Sequence, residues 1–120
     1  MKSSLLEHTF RQSWHYICSH SNNSHNSVDI IKAYLNCLIQ ELISSSVITS
    51  CSHTRIEVTH TLDNKGIYRS ATTDIILYFL TEAEYHFTLS FNDYIEIKEP
   101  DPFIRWKLII EELNDIEEDE

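Results

Sequence analysis

Histidine is the residue type that first calls for a search for chemistry, because the sequence contains seven of them. His8 and His15 are seven residues apart with Arg11 between them, so a helix would place all three on one face. Such a cluster is suited to cleaving RNA by general acid–base catalysis. A solvated helix face explains the same pattern without any chemistry, and we prefer that interpretation.

Two tripeptides, His25–Ser27 (HNS) and His86–Thr88 (HFT), have the H-x-S/T form found in two-histidine phosphoesterases. In those enzymes each imidazole works with a hydroxyl group on a phosphate. Here the first tripeptide lies in a polar loop rather than on a strand. In addition, the net charge of −10 repels a phosphate substrate. We therefore do not expect this activity.

Zinc ligation has little support in the spacing of the cysteines and histidines. Cys51 and His53, together with Cys18, Cys37 or His20, could be assembled into a zinc site. Structural zinc sites usually combine paired C-x2-4-C and H-x3-5-H spacings. The sequence has no C-x2-4-C pair, although His15/His20 and His20/His25 have the H-x4-H spacing. Buried free cysteines behave as small hydrophobic residues, so we expect no metal.

The sequence also lacks the signatures of covalent and nucleotide-dependent catalysis. It has no G-x-S-x-G elbow, and its single glycine excludes the P-loop and the dinucleotide-binding fingerprint. Carboxylate pairs such as Glu82/Glu84 and Glu111/Glu112 are better explained by solvation. We expect no catalytic residues and no cofactor, and therefore a protein that is not an enzyme.

The composition indicates one folded domain. A chain of 120 residues with 42% hydrophobic residues can bury one core but rarely two, so we treat residues 1–120 as a single domain.

Three cysteines are an odd number and suggest no disulfide framework. The N-terminal segment lacks the continuous apolar core of a signal peptide, and no run reaches the roughly 18 apolar residues of a membrane span. We therefore expect a cytoplasmic protein.

Charge constrains the function most strongly, because the negative charge is concentrated in one half of the chain. Residues 1–50 contain three bases and three acids, whereas residues 51–120 contain six bases and sixteen acids. An acidic tail is expected over about 114–120. A field of one sign repels nucleic acid and anionic membranes and speeds encounter with a basic macromolecule. We expect a basic protein partner in a 1:1 complex, and no nucleic acid, membrane or small-molecule ligand.

Two amphipathic helices are predicted in the neutral half. Residues 3–19 place apolar side chains at steps of three and four, as one face of a helix does. The polar stretch 19–27 ends at Ser27, a suitable N-cap for a second helix over about 28–44. Two helices joined by a short polar loop predict a helical hairpin.

The second half is predicted to begin as an antiparallel meander. Residues 55–60 alternate with the period of a strand, and Asp63–Gly66 is a turn in which the only glycine is expected to supply a positive φ. Residues 67–70 are expected to pair back as a short strand. The apolar run 74–81 indicates a central strand, with a buried helix as the alternative.

The meander is predicted to continue after a turn at residues 81–84. Residues 85–91 and 94–99 both alternate, and a tight turn is expected between them at Asn92–Asp93. Apolar side chains then recur at helical spacing from Phe103, behind an N-cap at Asp101, which predicts a C-terminal helix. The predicted fold is α+β with the order ααββ(β)βα, in which helices cover one face of a three- or four-stranded antiparallel sheet.

Tyrosines beside carboxylates are typical of protein-binding surfaces, since the aromatic ring anchors a partner and the acid pairs with its lysines or arginines. The alternative is that the tyrosines are core residues and the acids only keep the domain soluble. Position and charge lead to a set of candidate contact residues. The set is Glu82, Glu84, Tyr85, Asp93, Tyr94, Glu96, Glu111, Glu112 and Asp115.

This overall profile resembles that of the immunity proteins of bacterial toxin systems, including those of contact-dependent inhibition and the colicin-type nucleases. Those proteins are small, cytosolic, acidic and non-enzymatic. The resemblance implies that the protein neutralises a cognate toxin, such as a nuclease domain, by covering its active site or nucleic-acid-binding surface.

Two other classes of binding protein share the profile. Type III secretion chaperones are small, acidic α+β homodimers that bind an unfolded effector segment, but a helix usually separates their strands. A phage-encoded inhibitor of a nucleic-acid-handling defence complex would have the same electrostatics. The genes that surround this one would distinguish the three possibilities.

Overall fold

Two helices form one layer of the protein. The computed structural model describes residues 3–20, 28–45, 48–99 and 106–112, with α1 at Ser3–His20 and α2 at Val28–Ser44. Both predicted helices are confirmed. In their buried interface the hydroxyl of Tyr34 donates a hydrogen bond to the backbone oxygen of Phe10 at 2.9 Å. Neither described helix is long and apolar enough to cross a membrane.

A five-stranded antiparallel sheet forms the other layer, so the fold is α+β. The strands are β1 Ile48–His53, β2 Glu57–Leu62, β3 Gly66–Phe79, β4 Glu84–Glu96 and β5 Lys107–Glu112. β3 and β4 form a long central hairpin in which Gly66 lies opposite Glu96 and Tyr78 lies opposite Glu84. β1 and β2 lie end to end along the free side of β3, and β5 pairs with the far side of β4.

A group of threonines holds the chain to β3 where β1 ends and β2 has not begun. The backbone N–H of Thr54 donates to the oxygen of Asp74 at 2.9 Å, and the N–H of Asp74 donates to Oγ1 of Thr54 at 2.9 Å. The hydroxyl of Thr73 donates to the backbone oxygen of Thr54 at 2.8 Å. The two short strands therefore act as one edge of the sheet.

The meander has fewer breaks than the sequence suggested. Residues 67–70 are not a separate short strand, because they continue directly into the central strand as part of β3. The expected tight turn at Asn92–Asp93 is also wrong, since both residues lie inside β4. Cross-strand contacts explain this continuity: the hydroxyl of Tyr68 donates to Oδ1 of Asn92 at 2.8 Å, and Asp93 faces Arg69.

The structure does not show the predicted C-terminal helix. Lys107–Glu112 form β5 instead, with Phe91 opposite Leu108 and Leu89 opposite Ile110. Leu108 and Ile110 satisfy the period of a strand as well as that of a helix, and pairing with β4 decides between the two. The predicted N-cap at Asp101 and the acidic tail lie outside the described residues.

Aromatic side chains join the two layers. Phe10 of α1 meets Phe87 of β4 edge-on, with ring centroids 4.9 Å apart. Trp14 contacts both Tyr34 and Phe91, at centroid distances of 5.1 and 5.2 Å. Such ring pairs add about 0.5–1.5 kcal/mol each to the stabilisation from burial alone. The core therefore lies between the helices and one face of the sheet, which we call the inner face.

The turn between β2 and β3 depends on Asp63 and on the absence of a side chain at Gly66. Oδ1 of Asp63 accepts the backbone N–H groups of Lys65 and Gly66, each at 2.8 Å, and these bonds lower the pKa of the carboxyl. Gly66 does not have the expected positive φ. It is needed for space, because a Cβ there would collide with the backbone oxygen of Ile95 and lie 2.8 Å from the ring of Tyr94.

Substitution at Gly66 tests this explanation. We expect Gly66→Ala to lower the free energy of unfolding by about 1–3 kcal/mol, since the added methyl group has no room. Gly66→Asn should be worse, because its side chain is larger. Asparagine is the residue that best tolerates a positive φ, so urea unfolding in which the asparagine variant is the more stable of the two would contradict the explanation.

Candidate partner-binding surface

The face of the sheet turned away from the helices is uncovered within the described part of the chain. Successive residues of a strand point to opposite faces, so each inner-face residue of β3 and β4 has an outward-facing neighbour. We call this second surface the outer sheet face. Its central residues are Tyr68, Ser70, Thr72, Asp74, Ile76 and Tyr78 on β3, and Glu84, His86, Thr88, Ser90, Asn92, Tyr94 and Glu96 on β4.

The outer sheet face carries an excess of carboxylates. The strand register places five acids and one lysine on it: Glu57, Asp74, Glu84, Glu96, Glu111 and Lys107. Arg55 lines a groove beside Glu57 and Asp74, so the net charge of this side of the sheet is −3 with histidine neutral. The described helices carry three acids and two bases, a net charge of −1: Glu7, Asp29, Glu41, Arg11 and Lys32. The negative potential is therefore stronger over the sheet than over the helical layer.

Three of the carboxylates lie close together near the middle of this surface. Asp74 lies opposite Thr88, which in turn lies opposite Glu111, so one cross-strand row holds two acids. Glu57 lies opposite Thr72, one row further along the same face. Rows are about 7 Å apart and neighbouring strands about 4.8 Å apart, so these acids form one patch. The hydroxyl of Thr88 donates to Oδ1 of Asp74 at 2.7 Å and orients that carboxylate.

Two tyrosines stand at the far end of the outer sheet face. Tyr68 and Tyr94 are directly opposite each other on β3 and β4, with 42% and 43% of their surfaces exposed. Each is held through its hydroxyl, which donates to Asn92 at 2.8 Å for Tyr68 and to Asp63 at 3.4 Å for Tyr94. Rings that are exposed but already oriented lose little conformational freedom on binding, so this pair is suited to anchoring a partner.

The structure divides the contact residues predicted from sequence between several locations. The outer sheet face brings together Glu84, Tyr94, Glu96 and Glu111. Glu82 lies in the turn between β3 and β4, with a φ of 68°. The inner face holds Tyr85, Asp93 and Glu112, and Asp115 lies outside the described residues. A partner on the outer sheet face would contact the first four and not the inner three.

Burial accounts for two of the inner residues. The ring of Tyr85 packs 5.2 Å from that of Phe79 at the edge of the core. Asp93 is only 6% exposed and faces the guanidinium of Arg69, whose Nε is 3.8 Å from Oδ1. At that distance the two groups form an ion pair, but they are too far apart for a hydrogen bond. The guanidinium carbon of Arg69 also lies 4.5 Å from the ring centroid of Trp106.

Several residues of this surface were not among the predicted contacts, and one of them is Tyr68. The sequence contained a signal for two of the others. Asp74 lies one residue before buried Ile75, and Glu57 one residue before half-buried Val58. Strand alternation therefore assigns both acids to the outer side. Ile109, which is 51% exposed, could not be found this way because its segment was assigned to a helix.

The helical groups that first suggested chemistry lie on α1, where His8, Arg11 and His15 line one groove together with His20. His8 and His15 are exposed on α1, and Arg11 between them pairs with Glu7 at 3.1 Å. Burial raises the pKa of the Cys51 thiol to about 11, so the reactive thiolate is scarce at neutral pH. Among the described residues, no three histidine, cysteine or acidic side chains are grouped so that they could hold a metal ion.

The buried carboxyl of Asp93 should make stability depend on pH. Burial raises its pKa above the ordinary 3.8, and the positive charges of Arg69 and His60 oppose the shift. An acid whose pKa is raised in the folded state contributes its full stabilisation when the pH is below its ordinary pKa. This stabilisation is lost as the pH rises through the pKa of the folded state.

The Asp93→Asn variant removes this loss. Its free energy of unfolding minus that of the natural protein should therefore increase as the pH is raised from about 3 to about 7, as measured by urea denaturation. Glu96→Gln, which removes an exposed carboxylate from the same strand, should show a much smaller trend. A difference for Asp93→Asn that stays constant or falls with rising pH would contradict the raised pKa.

Comparisons of this chain with protein-family models, with curated proteins and with solved structures found no match, so its function has to be inferred from its own residues.

Proposed function

We propose that this protein is a non-enzymatic binding protein that neutralises a basic protein partner through its outer sheet face. The observation that supports this proposal is the composition of that face, which holds five carboxylates and one lysine on a surface without a covering element in the described chain. Unbalanced carboxylates on an exposed surface attract lysines and arginines and speed association.

The partner is a protein rather than a nucleic acid or an anionic membrane, since both of the latter carry the same sign of charge as the outer sheet face. Basic proteins that bind nucleic acid have the complementary surface, because they neutralise phosphates with lysine and arginine. A carboxylate surface that occupies those side chains blocks access of the nucleic acid. We therefore propose an immunity protein that inhibits a cognate nuclease toxin domain by covering its active site or nucleic-acid-binding surface.

The size of the outer sheet face is compatible with a stable 1:1 complex. β3 has 14 residues and four strand widths lie side by side in the middle of the sheet, which gives about 45 Å by about 19 Å. The product is about 860 Å², an upper bound because β1, β2 and β5 are shorter than β3, and a standard interface buries about 800 Å² on each partner. The tyrosine pair at one end supplies the aromatic anchors that such interfaces usually contain.

Co-expression provides the direct test of this function. A candidate basic toxin domain chosen from the neighbouring genes is expressed in a host with and without this protein, and growth is measured. We expect growth to be restored and the purified proteins to form a 1:1 complex that weakens as salt is added. Persistent toxicity, with no complex at low salt, would contradict the proposal for that pair. A complex that contains two copies of this chain and an unfolded segment would favour a chaperone instead.

Charge reversal distinguishes the two layers. The triple variant Glu57→Lys, Glu84→Lys, Glu111→Lys should lower the association rate with the toxin domain at least about tenfold at low salt, because it inverts the field over the outer sheet face. The control Glu7→Lys, Asp29→Lys, Glu41→Lys changes the net charge by the same amount on the helices and should have a much smaller effect. Stopped-flow fluorescence measures both rates, and a larger effect of the control would contradict the proposed surface.

The tyrosine pair should act mainly on dissociation. We expect Tyr68→Ala and Tyr94→Ala each to raise the dissociation rate by about ten- to thirtyfold, as the loss of an aromatic anchor does. Tyr16→Ala is the matched control, since Tyr16 is 53% exposed but lies on α1. Surface plasmon resonance measures these rates. If all three variants dissociate at the natural rate, the aromatic anchors lie elsewhere.

A further inference from the structure

A separate cavity of about 520 Å³ lies beside α2, at the edge of the sheet where β1 gives way to β2. Its polar lining consists of Lys32 and Asn36 from α2 and of His53 and Arg55 from the β1–β2 connection. Val28, Leu35 and Ile56 supply the apolar part of the lining. Ligand pockets commonly have volumes of about 300–1,000 Å³ and this combination of apolar walls with a few polar groups.

The charge of this cavity is opposite to that of the rest of the protein. The structure describes seven of the nine lysines and arginines, and two of those seven, Lys32 and Arg55, line the cavity. Of the 13 aspartates and glutamates that the structure describes, none lines it. Because carboxylates dominate the remaining surface, the cavity is a place where a small anion is attracted rather than repelled.

The cationic groups are available to a ligand. Within the described residues, neither Lys32 nor Arg55 forms an ion pair with a carboxylate. Arg55 also lines an adjoining groove together with Glu57 and Asp74, but it pairs with neither of them. Nδ1 of His53 is 2.8 Å from the backbone oxygen of Thr54, which leaves Nε2 as the free ring nitrogen.

We propose that this cavity binds a small organic anion, with a phosphate or carboxylate head between Lys32 and Arg55 and an apolar body against Leu35 and Ile56. Arginine can hold either head group through two parallel hydrogen bonds, and lysine adds a point charge. The cavity also begins at Val28, the first residue of α2, where the amide groups of the first helical turn have no acceptor within the helix. A ligand here would revise the expectation from sequence that no small molecule binds.

Nuclear magnetic resonance titration of the full chain tests this site with three probes: phenyl phosphate, benzoate and the neutral benzyl alcohol. We expect at least one of the two anions to give saturable shifts at the amides of Val28, Asn36 and Ile56, and benzyl alcohol to give none. Either anion satisfies the proposal, and the stronger binder identifies the preferred head group.

Matched variants show whether the two cations carry the binding. Lys32→Gln and Arg55→Gln should each weaken binding of the preferred anion about tenfold, as expected for the loss of one charged hydrogen bond. Lys65→Gln and Lys107→Gln remove the same charge elsewhere and should change it less than twofold. All four side chains are exposed, so the variants should keep the dispersed amide spectrum of the folded protein.

Several results would overturn the proposal. These are the absence of saturable shifts with both anions up to about 10 mM, equal binding of benzyl alcohol, or unchanged binding in Lys32→Gln and Arg55→Gln. Apart from Arg55, which also borders the groove of Glu57 and Asp74, the site shares no residue with the outer sheet face. A variant that carries only Glu84→Lys and Glu111→Lys is therefore expected to keep the anion site. The two proposals can therefore fail separately.

Discussion

The packing of two helices on one face of an antiparallel sheet is the constraint on which the other features depend. Phe10 and Trp14 from α1 and Tyr34 from α2 interlock with Phe87 and Phe91 of β4. Because side chains alternate along a strand, each apolar residue committed to this core leaves its neighbours on the other side of the sheet. The two described helices cover one side only, so the outer sheet face is a direct result of how the core is built.

The separation of the sheet into an inner and an outer face determines where its charged side chains lie. Asp93 and Arg69 share the inner face, where the carboxyl is buried beside a cation. The unbalanced acids Glu57, Asp74 and Glu111 gather on the outer side. Buried charges require partners, whereas exposed ones do not. The excess carboxylates can therefore remain unneutralised only where solvent or a basic macromolecule can reach them, which is the physical basis of the function proposed above.

Local pattern was sufficient to predict the helices and the core strand. The apolar residues of 3–19 and 28–44 recur with the period of a helix, and both segments are helical. The apolar run 74–81 was predicted as a strand, and residues 74–79 form the C-terminal part of β3. The Asp63–Gly66 turn was also recognisable, since Asp63 is a residue that bonds to amides further along the chain. In these segments the residues that determine the structure are neighbours in sequence.

The errors arose where a distant residue decides the outcome. Asn92–Asp93 has the composition of a turn, but contacts with Tyr68 and Arg69 on the facing strand keep it extended. Gly66 was explained by backbone freedom, whereas the backbone of Ile95 leaves no room for a side chain there. The segment Lys107–Glu112 fits both a helix and a strand until β4 offers a partner. For the same reason, the charge of the sequence predicted a basic partner but not where it would bind. The register of the paired strands shows which carboxylates lie together on the outer sheet face.

Side-chain footprinting of the complex tests the central claim most directly. Hydroxyl radicals oxidise exposed tyrosine and isoleucine side chains, and a bound partner shields those at its interface. Tyr68, Tyr94 and Ile109 on the outer sheet face and Tyr16 and Ile43 on the helices are all more than 40% exposed in the free protein. With the proposed basic partner bound, the first three should lose most of their oxidation and the helical pair should keep theirs. Protection of Tyr16 and Ile43, with Tyr68, Tyr94 and Ile109 still oxidised, would show that the partner binds the helical layer and would contradict this account.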